Sequence, residues 1–293
     1  MKPAPFRYIA PGTLDEALAA LGDYGDEAKA LAGGQSLIPA MNFRLAQPGV
    51  LVDLNPVAEL AYLEPAADGG LRIGAMTRQR AVERSALAAQ RAPLLHAAMP
   101  YVAHVQIRNR GTIGGSLAHA DPAAELPAVA VALGGRLRLQ SRRGERWMAA
   151  ADFYQGLFTT ALAPDEIVAE AALPPMPAQS GWSILEIARR RGDYALAGVA
   201  VVVTMAGGHC EQATLVFFGV GDGPVQAPSA ARLLAGEPPT QAAVVAAAAA
   251  AAEQDLDPPG DIHASAEFRR HLAKVLARRA LVEAFTRAGA ALN

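Results

Sequence analysis

Apolar positions recur along this chain in changing rhythms, and the changes mark its parts. From Thr13-Leu14-Asp15-Glu16-Ala17-Leu18 the spacing is helical, with Thr13 placed as N-cap and Glu16 at the capping-box position. Lys29-Ala30-Leu31-Ala32 reads as a short buried strand broken by Gly33-Gly34, Ser36 to Met41 begins a short helical turn, and Leu51-Val52-Asp53-Leu54 is a second strand. These elements predict a first subdomain over residues 1–60.

A second subdomain, 61–177, opens on the strand Leu71 to Ala75. Thr77 to Arg84 and Pro93 to Ala103 follow as helices, the first capped by Thr77, and Asp121-Pro122 sets a proline at the first position of another. Strand patterns return at Arg136 to Gln140 and Glu166 to Ala172, and Pro174-Pro175-Met176-Pro177 is the clearest linker. In residues 178–293, three apolar strands (Trp182 to Ala188, Ala195 to Met205, Ala213 to Val220) precede three helices (Ala230 to Leu234, Gln241 to Glu253, Ala266 to Ala288). Strands followed by helices predict an α+β domain with an antiparallel sheet.

Composition narrows the function. The 293 residues carry a net charge of −2, so no basic field invites nucleic acid. No segment approaches the roughly 18 apolar residues of a membrane span, and the start lacks a signal-peptide core, so a cytoplasmic protein with no transmembrane segment is expected. The alanine-rich stretch Ala242 to Ala252 is too short for a span and suits a surface or packing helix. Cys210 is the only cysteine, which excludes an internal disulfide and an iron–sulfur cluster built from this chain alone. The six histidines show no metal-ligand spacing, and no bound metal is expected.

Two glycine-rich stretches carry the chemistry: Ala32-Gly33-Gly34-Gln35-Ser36 and Gly111-Thr112-Ile113-Gly114-Gly115-Ser116. Each ends an apolar or β-branched run and mixes glycine with small hydroxyl residues. Both can therefore turn main-chain N–H groups toward one polyanion, at helix starts that favour it, with Gly33 and Gly114 expected at φ > 0 or in close backbone contact. The pair predicts a diphosphate clamp. Gly219-Val220-Gly221-Asp222-Gly223 imitates a dinucleotide fingerprint but lacks its spacing, and Pro224 follows at once, so a tight turn is the reading. Ser36 and Ser116 lack the context of a catalytic serine. His119 near Asp121 is an acid–base pair or, more simply, polar lining of a ligand loop. Arg189-Arg190-Arg191-Gly192-Asp193-Tyr194 reads either as a solvated strand end or as an interface or an aromatic set over a flat ligand.

Those residues, Ala32 to Pro39, Thr112 to Glu125 and Arg191 to Tyr194, closely resemble the FAD-binding medium subunit of molybdenum hydroxylases, the family of the carbon monoxide dehydrogenase medium subunit and the xanthine dehydrogenase FAD domain. The resemblance runs through essentially the whole chain. It implies a two-subdomain FAD-binding unit of the vanillyl-alcohol-oxidase (PCMH) type, completed by the C-terminal α+β domain. Cofactor contacts are implied for Leu31, Ala32, Gly33, Gly34, Gln35, Ser36 and Leu37 on the diphosphate. Thr112, Ile113, Gly114, Gly115 and Ser116 form the second clamp, with His119 beside it and Asp121 or Glu125 toward the ribose or ribityl chain. Val102 and Val168 would pack on flavin or adenine, and Tyr194 would lie by the isoalloxazine ring and gate it.

The resemblance also implies departures. Where relatives often carry a lysine near the flavin this chain has Glu186, and with no histidine in the first loop FAD is held non-covalently. Function follows as electron transfer: molybdopterin in a large partner subunit, two two-iron clusters in a small one, and this FAD passing electrons to an external acceptor. The implied assembly is a heterotrimer doubled to an (LMS)2 heterohexamer, in the cytoplasm or at the inner membrane face through the complex. A self-contained flavin oxidase and a non-catalytic nucleotide-binding module are the alternatives. Substrate and electron acceptor are not written in this chain.

Overall fold

The computed structural model describes residues 2–292. The first strands, β1 (Arg7–Ile9), β2 (Ala28–Leu31) and β3 (Val50–Asp53), form a parallel sheet in the order β1-β3-β2. Parallel neighbours require crossovers, supplied by α1 (Leu14–Tyr24) and α2 (Leu37–Asn42). The Thr13 hydroxyl caps α1 by accepting from Glu16 N at 3.2 Å, while the Glu16 carboxylate takes Gly12 N at 2.8 Å, so the reciprocal arm closes one residue earlier than a capping box. Leu14, Ala17, Leu18 and Leu21 bury one face of α1 in a core shared with Ile167 and Ala169 from much later in the chain.

Next come β4 (Leu63–Pro65) and β5 (Leu71–Gly74), then six short helices: α3 (Gln79–Glu83), α4 (Ala86–Arg91), α5 (Pro93–Ala98), α6 (Val105–Arg108), α7 (Ile113–His119) and α8 (Glu125–Ala132). The chain continues through β6 (Arg136–Ser141), β7 (Gly144–Ala149), the one-turn α9 (Ala150–Phe153), the hairpin β8 (Tyr154–Gly156) and β9 (Thr159–Thr160), and β10 (Ile167–Leu173). Five of these strands make an antiparallel sheet, β4-β5-β10-β6-β7.

Three expectations are corrected here. Thr77 does not cap α3; its hydroxyl donates to the Tyr62 carbonyl at 2.6 Å, and the helix begins two residues later. The helix starting at Pro93 ends at Ala98, just before Pro100, which a continuing helix would not tolerate. Pro122 is not a helix N1 residue: Asp121 Oδ1 accepts from Ala123 N at 2.9 Å in a local turn, and α8 starts at Glu125.

The C-terminal sheet is antiparallel, β11-β12-β13-β14, from β11 (Ser180–Ala188), β12 (Ala195–Ala206), β13 (His209–Phe218) and β14 (Val225–Gln226). Alternate residues face opposite ways. Ala197, Val199, Val201 and Val203 point to α10 (Pro228–Leu234), α11 (Gln241–Ala250) and α12 (Ala266–Arg287), whereas Ile184, Ala200, Val216 and Phe218 point into the core of the preceding unit. The helix expected to run from Gln241 to Glu253 is α-helical only to Ala250 and finishes in a π-type turn over 251–255. Every residue of α8 is buried, because it is packed among α5, α7 and the C-terminal sheet. Among the described residues no helix is long and apolar enough to cross a membrane.

Candidate functional site

The fold brings the two glycine stretches into contact. A Cβ on Gly33 would stand 2.6 Å from the Arg110 carbonyl oxygen and 2.8 Å from the Gly111 Cα; one on Gly115 would stand 2.7 Å from Thr112 Oγ1 and 3.2 Å from the Ala32 Cβ. No side chain fits between the loops, so glycine is what allows them to touch. Gly114 abuts the end of β5, where a Cβ would lie 2.4 Å from that of Ala75. Positive φ belongs to neither Gly33 nor Gly114 but to Gly34, at +72°, so the first two serve close approach and the third the turn.

The two stretches contribute differently, and the expectation that both aim N–H groups at an anion is corrected. In the second, Ile113 N donates to Thr77 O at 3.0 Å, Gly114 N to Ala75 O at 2.8 Å, Gly115 N to Thr112 Oγ1 at 3.0 Å and Ser116 N to Thr112 O at 3.2 Å. Those donors are spent on the protein. In the first, the N–H groups of Gly33, Gly34, Gln35, Ser36 and Leu37 have no partner among the described residues. Neither do the Ser36 and Ser116 hydroxyls. Because α2 has only six residues, this donor row comes from the loop itself rather than from a helix dipole.

The row is oriented from behind. Asn55 Nδ2 donates to Ala32 O at 2.9 Å; in a planar trans peptide the Gly33 N–H then points the opposite way. Gln35 Nε2 does the same to Gly33 O at 3.1 Å, turning the Gly34 N–H outward. Asp53 holds Asn55 by accepting from its main-chain N at 2.9 Å, and Tyr8 OH anchors Asp53 at 2.5 Å.

The remaining expected site residues fall into two sets. Leu31 ends β2 and Ile113 is buried, as are Val102 and Val168 in the core of the five-stranded sheet. The Val102 carbonyl accepts from Arg108 Nη1 at 2.8 Å. His119, Asp121, Glu125 and Tyr194 gather where α7, α8 and the loop before β12 converge. His119 and Asp121 share no hydrogen bond: the imidazole lies 5.2 Å from the Phe158 ring, and partial burial lowers its pKa. Burial pushes the Glu125 carboxyl up to about 7, with Asp121 adding to the rise. Glu186, on the face of β11 that looks toward α8, has Oε2 buried without a partner; burial, then Glu125, raises it to about 8. Tyr194 is exposed, and its phenol is raised by partial burial and by Asp121 and Glu125.

Sequence reading missed Asn55, which directly follows the recognised strand Leu51 to Leu54 with no motif of its own. It also missed Phe158, an exposed aromatic at φ +52°, and the arginines next to the second loop. Arg110, immediately before Gly111, was the available signal.

A family profile described as the FAD binding domain in molybdopterin dehydrogenase matches residues 4–176, and one described as the CO dehydrogenase flavoprotein C-terminal domain matches 182–284. The chain is 41% identical to the 6-hydroxypseudooxynicotine dehydrogenase complex subunit alpha of Paenarthrobacter nicotinovorans, covering 98% of this chain and 97% of that protein. It is 38% identical to the carbon monoxide dehydrogenase medium chain of Afipia carboxidovorans, over 98% and 99% of the two chains. Among solved structures, carbon monoxide dehydrogenase from Hydrogenophaga pseudoflava superposes with a TM-score of 0.95 at 37% identity, and quinoline 2-oxidoreductase from Pseudomonas putida with 0.93 at 38%, each over 98% of this chain and 99% of the other. With both domains matched in order along nearly its whole length, the chain belongs to the family of FAD-binding medium subunits of molybdenum hydroxylases, oxidoreductases of the carbon monoxide and xanthine dehydrogenase type.

Proposed function

We propose that this chain holds FAD non-covalently, with the diphosphate on the N–H row of Gly33 to Leu37 and the Ser36 and Ser116 hydroxyls, and that it serves as the electron-transfer subunit of a molybdenum hydroxylase. The observation that carries the reading is that row of five unpaired donors in a loop packed against the second glycine loop. The donor set suits a diphosphate: it is neutral and closely spaced. Bound FAD would supply the capacity to take electrons singly and release them singly or in pairs. This chain's own residues bind and orient it, while Glu125 and Glu186 hold protons near neutral pH beside the loop that carries Tyr194.

In this reading a large subunit holds molybdopterin, a small one holds two two-iron clusters, and the three assemble as an (LMS)2 heterohexamer. Tyr194, exposed and next to the Asp121–Glu125 turn, is assigned to the flavin face. The units 1–60, 61–177 and 178–293 are its domains, supported by a separate sheet in each. A cytoplasmic location belongs to the same reading, and a single buried, unpaired cysteine suits a reducing compartment. The self-contained oxidase is less favoured, since His119 and Asp121 are each engaged elsewhere.

The test is the visible absorption spectrum of the purified chain, alone and after co-expression with both partner subunits. Flavin bands, joined on co-expression by iron–sulfur absorbance and co-eluting molybdenum, are expected. Colourless protein in both preparations would overturn the proposal.

A further inference from the structure

Behind the junction of the glycine loops lies a cation that the family assignment does not account for. Arg78 Nη2 donates to Asn55 Oδ1 at 2.6 Å, the same Asn55 whose amide fixes the Ala32 carbonyl. Arg78 Nη1 donates to the Arg110 carbonyl, the one against which Gly33 is packed. Its main chain pairs with Thr112, and the next residue, Gln79, donates its N–H to Gly111 O at 2.9 Å. One side chain thus reaches the first loop through Asn55 and the second loop directly.

Charge is the second observation. All of Arg78's hydrogen-bond acceptors are neutral, and among the described residues neither Arg78 nor Arg110 forms an ion pair; the nearest carboxylate influence is Asp53, behind Asn55. Two other arginines of this unit are satisfied differently: Arg72 is bidentate to Glu170 and Arg108 to Glu83. Burial and the neighbouring Arg110 both work against Arg78's charge. A half-buried guanidinium left without a counter-ion beside a row of unpaired N–H donors is complementary to an anion.

We infer that Arg78 is a positioning residue of the diphosphate site, tying the two glycine loops together, and that Arg78 and Arg110 together supply the positive charge that offsets the two negative charges of a bound dinucleotide diphosphate. The inference rests on the FAD reading. It adds the electrostatic half of a site whose other donors are neutral, and it explains what orients the peptides of Ala32 and Arg110.

The experiment titrates FAD into the full chain, stripped of cofactor, by flavin fluorescence quenching at several salt concentrations. Parent, Arg78→Gln, Arg78→Lys and Arg110→Gln are compared, with the thermal unfolding of each apoprotein measured in parallel. Affinity of the parent should fall as salt rises, since a partly exposed charge is screened. Arg78→Gln should bind FAD about 10- to 100-fold more weakly, the loss expected for a charge-assisted bond, with a shallower salt dependence. Lysine should restore the salt dependence but not the affinity, because it cannot span both acceptors. Arg110→Gln, exposed and without a side-chain bond, should flatten the salt dependence at unchanged apoprotein stability.

Unchanged FAD affinity in Arg78→Gln, or weaker affinity with the parent's salt dependence in both glutamine variants, would overturn the charge assignment. If Arg78→Gln fails to fold, the Arg110→Gln salt dependence decides alone. A parent chain that binds no FAD at any salt would instead sink the underlying reading, so the two failures are distinguishable.

Discussion

A methyl group on Gly33 would stand 2.6 Å from a main-chain oxygen of the opposite loop, whereas one on Gly114 would stand 2.4 Å from a side chain at the end of a core strand. The two substitutions should therefore part company. Gly33→Ala pushes the loops apart and should lower flavin content with little change in apoprotein stability. Gly114→Ala overpacks the contact with Ala75 and should cost about 1–3 kcal/mol of stability. Flavin-to-protein ratio and denaturant unfolding, read side by side, check both; equal effects on both quantities would mean that the loops and the strand end are one cooperative unit. Tyr194 is a third case, since its exposed side chain holds nothing together. Tyr194→Ala should retain FAD and change its reoxidation rate, followed by stopped-flow absorbance. An unaltered rate would remove Tyr194 from the flavin face.

At the scale of elements, what was legible was whatever local chemistry dictates. The break at Gly33-Gly34 after β2 and the strands of the C-terminal sheet follow from apolar rhythm and glycine. Less legible was anything decided by distant partners. β7 is mostly exposed and polar, so it carries no apolar alternation, and it exists because β6 pairs with it. α8 is apolar all round, which hides its boundary; Asp121 and its turn place that boundary at Glu125. For the same reason the Tyr8–Asp53–Asn55–Arg78 chain, drawn from three separate segments, left no motif to read.

The start of α8 also sets a pH dependence. Glu125 and Glu186 hold their protons to about 7 and about 8 in the folded chain, against roughly 4.3 when unfolded. Raised folded-state values mean that the folded form binds more protons, so the contribution of these two groups to stability is complete below about pH 4 and is lost as pH rises through 7 and 8. Glu186→Gln removes one buried charge and the repulsion on Glu125. It should raise apoprotein stability at pH 8.5 by about 1–3 kcal/mol and flatten the slope, measured by denaturant unfolding between pH 5 and 9. A variant with the parent's slope would place the pH dependence elsewhere.

Over the whole molecule, the flavin unit and the C-terminal domain share one core. Ile184, Ala195, Ala200, Val216 and Phe218 from the C-terminal sheet pack with Leu126, Val129 and Leu133 around α8. Gly219 N donates to Pro122 O at 2.8 Å, which ties the second glycine loop's exit to the end of β13, and Gly192 is pressed against the His104 ring. Phe218 folds over Gly198, where any Cβ would fall 2.1 Å from the ring. The glycine loops are thus supplied by the first two units but braced by the third. A chain ending at Pro177 keeps both glycine loops yet strips one side of α8, exposing a contiguous apolar face of the kind that drives association. It should therefore run as soluble aggregate in size-exclusion chromatography with multi-angle light scattering and carry little FAD, and co-expressed residues 178–293 should restore a discrete, flavin-bearing species. A monodisperse, flavin-loaded 1–177 fragment would show instead that the C-terminal sheet contributes surface for partners and not support for the cofactor.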